Sequence, residues 1–297
     1  MTFSIVARVG EAYGVAVASK FLAVGAVVPA ARLGAGAVAT QALARVAYKD
    51  EILAALGQGS SASDAVSSLV AADSGSAGRQ LGAVSASDEA SYTGPECMPW
   101  AGGVSGHDGR GSAYAIQGNI LVGEQVVKEA EQAWMDSAHL PLSSRLLNAL
   151  LAGDRAGGDR RGRQSAALYV VAPGAGYDHS GLAVDLRIDD HAEPVQELQR
   201  LLDLNDLYYG SPTNVLPLTG PLGEEVHTRL AQLGRTQEDL HEALDDWAGE
   251  ANYEMRLTPD GIDSRVLQAL REETVLTPPD VTGPIPAVRL DRRESRT

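Results

Sequence analysis

The sequence predicts an α+β domain followed by a small helical one, on three observations. Short β-type runs come in blocks separated by pairs of helices, without the regular strand–helix–strand alternation of a parallel sheet. Residues 206–275 carry helical patterns only, and from 276 a proline-rich stretch of mixed charge has no periodicity. These observations divide the chain into a domain at 1–205, a helical domain at 206–275 and a flexible tail at 276–297. A chain of 297 residues is long enough for one well-buried core and a smaller companion.

The elements follow in order. Thr2–Arg8 and Gly14–Ser19 alternate as strands about a hairpin connection at Val9–Tyr13, and Gly34–Gln41 is a glycine- and alanine-rich inner strand. The glycines of that strand lack the spacing of a dinucleotide-binding loop. Helices are predicted at Val46–Leu56 and Ala65–Ala72, the second opened by the capping group Ser61-Ala62-Ser63-Asp64. Strands return at Gln80–Ser87, Glu89–Thr93, Trp100–Val104 and Ser112–Gln117, then helices at Glu124–Ser137 and Ser143–Ala152. Ser165–Ala172 and Leu182–Asp189 are strands, and Pro194–Leu204 is a helix with proline in its first turn. Two facing sheets covered by helices would use all of these. Asn205-Asp206 interrupts the helical pattern, and Gly223–Gln232, Gln237–Asp246 and Ser264–Arg271 read as three short helices beyond it.

Composition narrows the function. The net charge is −15, divided almost evenly between residues 1–205 and 206–297, which disfavours nucleic acid and anionic membranes as partners. No stretch approaches a membrane span. A single cysteine, Cys97, excludes an intramolecular disulfide and a multi-thiolate metal site, so no metal or cofactor is expected. The opening residues lack a secretory signal, and a cytoplasmic location is expected.

Thr2 is the residue of most chemical interest. A hydroxyl is a poor nucleophile at neutral pH, but an N-terminal threonine carries an α-amine of pKa about 7.7–8.0 that can take its proton. Removal of Met1 would expose it. Lys20 ends the second strand, where its charge would lower the amine pKa and stabilise a negative intermediate. Asn119, in Gln117-Gly118-Asn119, can donate to an oxyanion, and Asp159, Arg160 and Gln164 can hold a terminus or a carboxylate. His107 and His191 read as surface residues with no triad or metal spacing, and Cys97 reads as a buried core thiol.

Taken together, Thr2-Phe3-Ser4-Ile5-Val6-Ala7-Arg8, Gly14–Phe21, Gly36–Gln41, Gln117–Leu121 and Gly158–Ala167 resemble a bacterial and archaeal family of unknown function in the N-terminal nucleophile (Ntn) hydrolase superfamily. The resemblance implies a four-layer αββα sandwich with the site between the sheets. It matches Thr2 to the nucleophile and its α-amine to the base. Ser19 and Lys20 map to polar groups around it, Gln41 and Thr40 end the third strand beside the same pocket, and Asn119, Asp159, Arg160 and Gln164 fall within matching motifs. Residues 206–275 resemble a peptidoglycan-binding-like helical domain, which would also suit dimerisation or a lid.

The expected function is hydrolysis of a small linear or non-peptide amide, with a carboxylate on the substrate suggested by Arg160, Arg161 and Arg163, in a homo-oligomer. The competing expectation is a binding or scaffold protein that keeps the fold without the chemistry and recognises a peptide or glycan. A proteasome-like protease is the third, weakened by the added domain and the missing propeptide.

Overall fold

The computed structural model describes residues 2–109 and 111–274. Its contacts divide the chain between Asp206 and Leu207. The first unit is mixed α and β. Strands β1 (Thr2–Val9) and β2 (Ala12–Ser19) form a hairpin whose turn uses Gly10 at φ +58°, a backbone angle that glycine reaches without steric cost. After α1 (Val24–Val27) and β3 (Pro29–Arg32), neither of which the sequence pattern reveals, comes β4 (Gly36–Ala42). Four-residue elements are too short to display a hydrophobic period. Helices α2 (Tyr48–Gly57) and α3 (Ala62–Ala72) follow, the latter capped by Ser61, whose Oγ accepts from Asp64 N at 3.0 Å.

Strands β5 (Arg79–Val84), β6 (Glu89–Thr93), β7 (Gly102–His107) and β8 (Ser112–Asn119) lead to α4 (Gln125–Asp136) and α5 (Leu142–Arg155). The unit closes with β9 (Ser165–Val171), β10 (Leu182–Ile188) and α6 (Pro194–Tyr209). Asn205-Asp206 does not interrupt that last helix, which runs on to Tyr209; a polar pair is not a breaker when the following residues still favour the helix.

Two antiparallel sheets result, of six strands in the order β10-β9-β2-β1-β8-β7 and of four in the order β3-β4-β5-β6. Strand alternation decides what each face touches. Ile5, Ala16 and Leu168 pack with Trp134, Leu146 and Leu150 of α4 and α5. Val6, Val15 and Val17 turn the other way and meet Ala37, Ala39 and Val84 of the smaller sheet. Val38 and Leu81 then face Tyr48, Ile52 and Val66 of α2 and α3. The layers are therefore helices, large sheet, small sheet, helices. Small side chains on the four-stranded sheet let the two sheets approach closely.

The second unit contains α7 (Gly220–Gln232), α8 (Leu240–Glu250) and α9 (Ser264–Glu273), with a short pairing of β11 (Val215–Leu216) and β12 (Ile262–Asp263). Val226, Leu230, Trp247, Val266 and Leu270 form its core. Arg256 and Asp263 make a buried ion pair at 3.0 Å, satisfied further by Arg256 donating to Leu207 O and Thr213 N donating to Asp263. The tail expected at 276–297 lies outside the described residues. Among the described residues no helix is long and apolar enough to cross a membrane.

Asp73, at the end of α3, ties the outer helices to the small sheet. Gly75 N–H (2.9 Å), the Arg79 guanidinium (3.0 Å) and the Tyr48 hydroxyl (2.8 Å) all donate to it, and they hold its carboxyl down at about 2 from the usual 3.8. A carboxyl whose folded pKa is depressed adds stability above the unfolded value and loses it as pH falls through the folded one. Asp73→Asn is therefore expected to lower the thermal midpoint at pH 7, with the gap to wild type shrinking from pH 4 toward pH 2. A constant gap across that range would contradict the assignment.

Candidate active site

The register of the sheets collects polar side chains at one end of the layer between them. Thr2 lies opposite Asn119, and Ser4 opposite both Val17 and Gln117; Gln41 lies opposite Gln80. Residues paired across antiparallel strands share a face. The face that is apolar at Val6, Val15 and Val17 thus becomes polar toward Thr2, Ser4 and Ser19, and every member of the group is buried. Thr2, the first residue of the central region of the larger sheet, has its Oγ1 at 3.1 Å from Ser19 Oγ.

Four side-chain amides support this pair. Gln80 Nε2 donates to Gly118 O (2.8 Å), with Gly102 O (3.3 Å) and Thr93 Oγ1 (2.9 Å) also in range. Carbonyl oxygens only accept, so they fix which end of Gln80 is nitrogen. Its Oε1 must then accept, and does so from Gln41 Nε2 (2.8 Å) and Asn119 Nδ2 (2.9 Å). Both of those nitrogens also reach Thr2 O, at 3.3 and 3.5 Å. Gln41 Oε1 accepts from Ser4 Oγ (2.7 Å), which accepts from Gln117 Nε2 (2.6 Å). One polarity runs through the whole relay. Gln117 Oε1 is buried with no hydrogen-bond partner among the described residues, a cost of about 1–3 kcal/mol that the rest of the network carries.

The residues expected from sequence are placed as follows. Thr2, Ser19, Gln41 and Asn119 come together. Asn119 does not have the geometry of an oxyanion donor, because its Nδ2 is taken by Gln80 Oε1 and Thr2 O. It positions the Thr2 carbonyl instead. Lys20 is exposed; its ammonium donates to Arg163 O (3.3 Å) and its backbone N–H to Asp159 Oδ2 (2.7 Å), so the amide and not the charge is built into the strand end. Asp159 is buried, accepts from Arg161 N (2.9 Å) and pins the loop after α5 to the end of β2. Arg160 is exposed, its N–H bonded to Ile120 O (3.2 Å). Gln164 is turned to Asp190 (3.1 Å) on the surface, away from the relay. Thr40 has the opposite parity to Gln41 and bonds to Arg45 O (3.3 Å) on the helix-covered face. His107 and His191 are exposed. Cys97 is half-buried and not a core residue; burial pushes its thiol up, away from thiolate chemistry.

Gln80 is the functional residue that sequence reasoning missed. A lone glutamine at a strand start carries no local signal, since its partners lie 39 residues away on either side.

A cavity of about 280 Å³ opens beside the relay, with Ala42, Leu43, Glu96, Met98, Asn119 and Ile120 in its wall. Ala42 and Ile120 directly follow the relay residues Gln41 and Asn119, and both are left-handed, at φ 65° and 50°. For a β-branched residue that is a true outlier costing about 1–3 kcal/mol, of the kind that clusters at functional sites. A larger hollow of about 540 Å³ lies between β6 and β7, but it reaches the relay only through Thr93 and Gly102.

The relay makes two mutational expectations. Gln80→Leu removes the nearest acceptor of the Gln41 and Asn119 amides and the side-chain donor to Gly118 O, and is expected to cost about 1–3 kcal/mol in denaturant unfolding. Gly82→Ala drives a Cβ into the Gln117 side-chain amide and is expected to destabilise the fold by about 1–3 kcal/mol through overpacking. Changes below 0.5 kcal/mol, within the usual scatter of surface substitutions, would contradict the relay.

Comparison with known proteins adds the following. A family model described as "Family of unknown function (DUF1028)" matches residues 2–198, and one described as "Putative peptidoglycan binding domain" matches 208–270. Among solved structures, protein SPO2555 from Silicibacter pomeroyi, of the DUF1028 family model, is similar at 31% identity and a TM-score of 0.61, over 75% of this chain and 92% of that one. No curated protein matches. The chain is thus a member of the DUF1028 family of unknown function, with a peptidoglycan-binding-like domain at its C-terminal end.

Proposed function

We propose that the protein is an Ntn-type amidohydrolase, matured in the cytoplasm by removal of Met1 and using Thr2 as its nucleophile. This reading takes the helix–sheet–sheet–helix stack as the αββα sandwich of that superfamily. The observation that carries it is the fixing of Thr2 from both ends, its hydroxyl 3.1 Å from that of Ser19 and its carbonyl held by Gln41 and Asn119. Burial of such a polar cluster costs stability that a scaffold alone does not need.

In the reaction, Thr2 Oγ attacks the substrate carbonyl carbon while its proton passes to the α-amine, directly or through a water. The tetrahedral intermediate collapses, the ammonium protonates the leaving amine, and the acyl group remains as an ester on Thr2. Water, deprotonated by the same amine, adds to that ester; as the acid leaves, the ammonium returns the proton to Thr2 Oγ. Ser19 holds the hydroxyl in line. The substrate is a small linear amide.

Binding without chemistry is the second reading, favoured by the match of the helical domain to a peptidoglycan-binding description. The two separate in one experiment on the full chain. Amide hydrolysis is expected to rise with pH through the amine pKa, near 8, and to fall about a thousandfold or more in Thr2→Ala, with partial retention in Thr2→Ser. Equal turnover by wild type and Thr2→Ala would overturn the proposal.

A further inference from the structure

We infer that the cavity beside Asn119 is the acyl-side subsite and that it takes an apolar group bearing a free, protonated amine: the substrate is the amide of an apolar α-amino acid. The inference rests on Thr2 being the nucleophile, whose cross-strand partner Asn119 lines the cavity.

Three observations converge. The first is the orientation of Asn119. Because Gln80 presents its oxygen to the relay, Asn119 must direct Nδ2 inward (2.9 Å), and its Oδ1 has no hydrogen-bond partner among the described residues. Asn119 lines the cavity, and with Nδ2 engaged in the relay the side-chain group it has left for a ligand is an acceptor, which calls for a donor on the ligand. The second is Glu96, an exposed carboxylate on the same cavity that makes no ion pair among the described residues. An acceptor and an anion together suit an ammonium group, and they disfavour a carboxylate or an acylated nitrogen carrying its own carbonyl.

The third observation is the rest of the wall. Leu43 and Met98 are 68% and 59% exposed, and Ala42 and Ile120 complete an apolar lining. Exposed large apolar side chains gathered at a concave site are the usual signature of ligand contact. Ala42 and Ile120, both left-handed, stand at the strand ends that line this space. A volume of about 280 Å³ suits one side chain of leucine or phenylalanine size.

The test uses the full chain and reads binding and turnover separately. Calorimetric titration of the Thr2→Ala protein with L-leucinamide and with N-acetyl-L-leucinamide is expected to give at least tenfold tighter binding of the free amine. Glu96→Gln in that background is expected to weaken the leucinamide complex about fivefold or more while leaving the acetylated compound unaffected. With wild type, L-leucine p-nitroanilide is expected to exceed its N-acetyl derivative at least tenfold in kcat/KM, and Glu96→Gln to act on KM rather than kcat. Equal binding of the two amides, or indifference to Glu96→Gln, overturns the subsite even if Thr2 proves to be the nucleophile. Selective binding of leucinamide without hydrolysis of any amide supports the subsite and removes the catalytic reading instead.

Discussion

The arrangement around Thr2 depends on one side chain whose orientation cannot be reversed. Gln80 sits where the two sheets meet and bonds through its nitrogen to the carbonyls of the larger sheet. Its oxygen is thereby committed to Gln41 and Asn119, and those two amides converge on the carbonyl of Thr2. Without this fixed polarity each buried amide would have two nearly equivalent flips. With it, the position of the first strand residue and the character of the adjoining cavity wall are settled together.

The fold supplies this arrangement by parity. Even residues of β1 and odd residues of β2, β4 and β8 all face the inter-sheet layer, so a change from apolar to polar side chains at one end of each strand builds a polar pocket in an otherwise dry interface. Small residues make the space. Gly82 stands across from Gln117, and a larger residue there would displace its side-chain amide. Each of these choices costs stability locally, through buried amides, an unpaired oxygen and two left-handed strand ends. The large cores on the outer faces of both sheets offset that cost.

Much of this was legible in the sequence, and the limits have physical causes. The strand beginning at Thr2 and the hairpin that returns at Ser19 follow from alternation and a glycine turn, so the proximity of the two hydroxyls needed only local information. Asn119 stands out through its motif, but the direction of its amide does not. Which end of an amide faces a site depends on distant carbonyls, here those of Gly102 and Gly118 acting through Gln80. Thr40 lies one residue from Gln41, and one residue on a strand reverses the face, whereas Lys20 lies just past the end of β2 with its ammonium at Arg163 O. Gln164 was grouped with Asp159 by sequence proximity, whereas the loop sends it to Asp190. The short elements α1 and β3 gave no periodic signal at all.

The central claim is that Thr2, once terminal, carries the acyl group. The most direct measurement is an intact mass of the protein quenched during turnover of an activated amide or ester, followed by peptide mapping. The account predicts a chain lacking Met1 with one acyl group on Thr2. An active protein that retains Met1, or an acyl group mapped to any other residue, would contradict it.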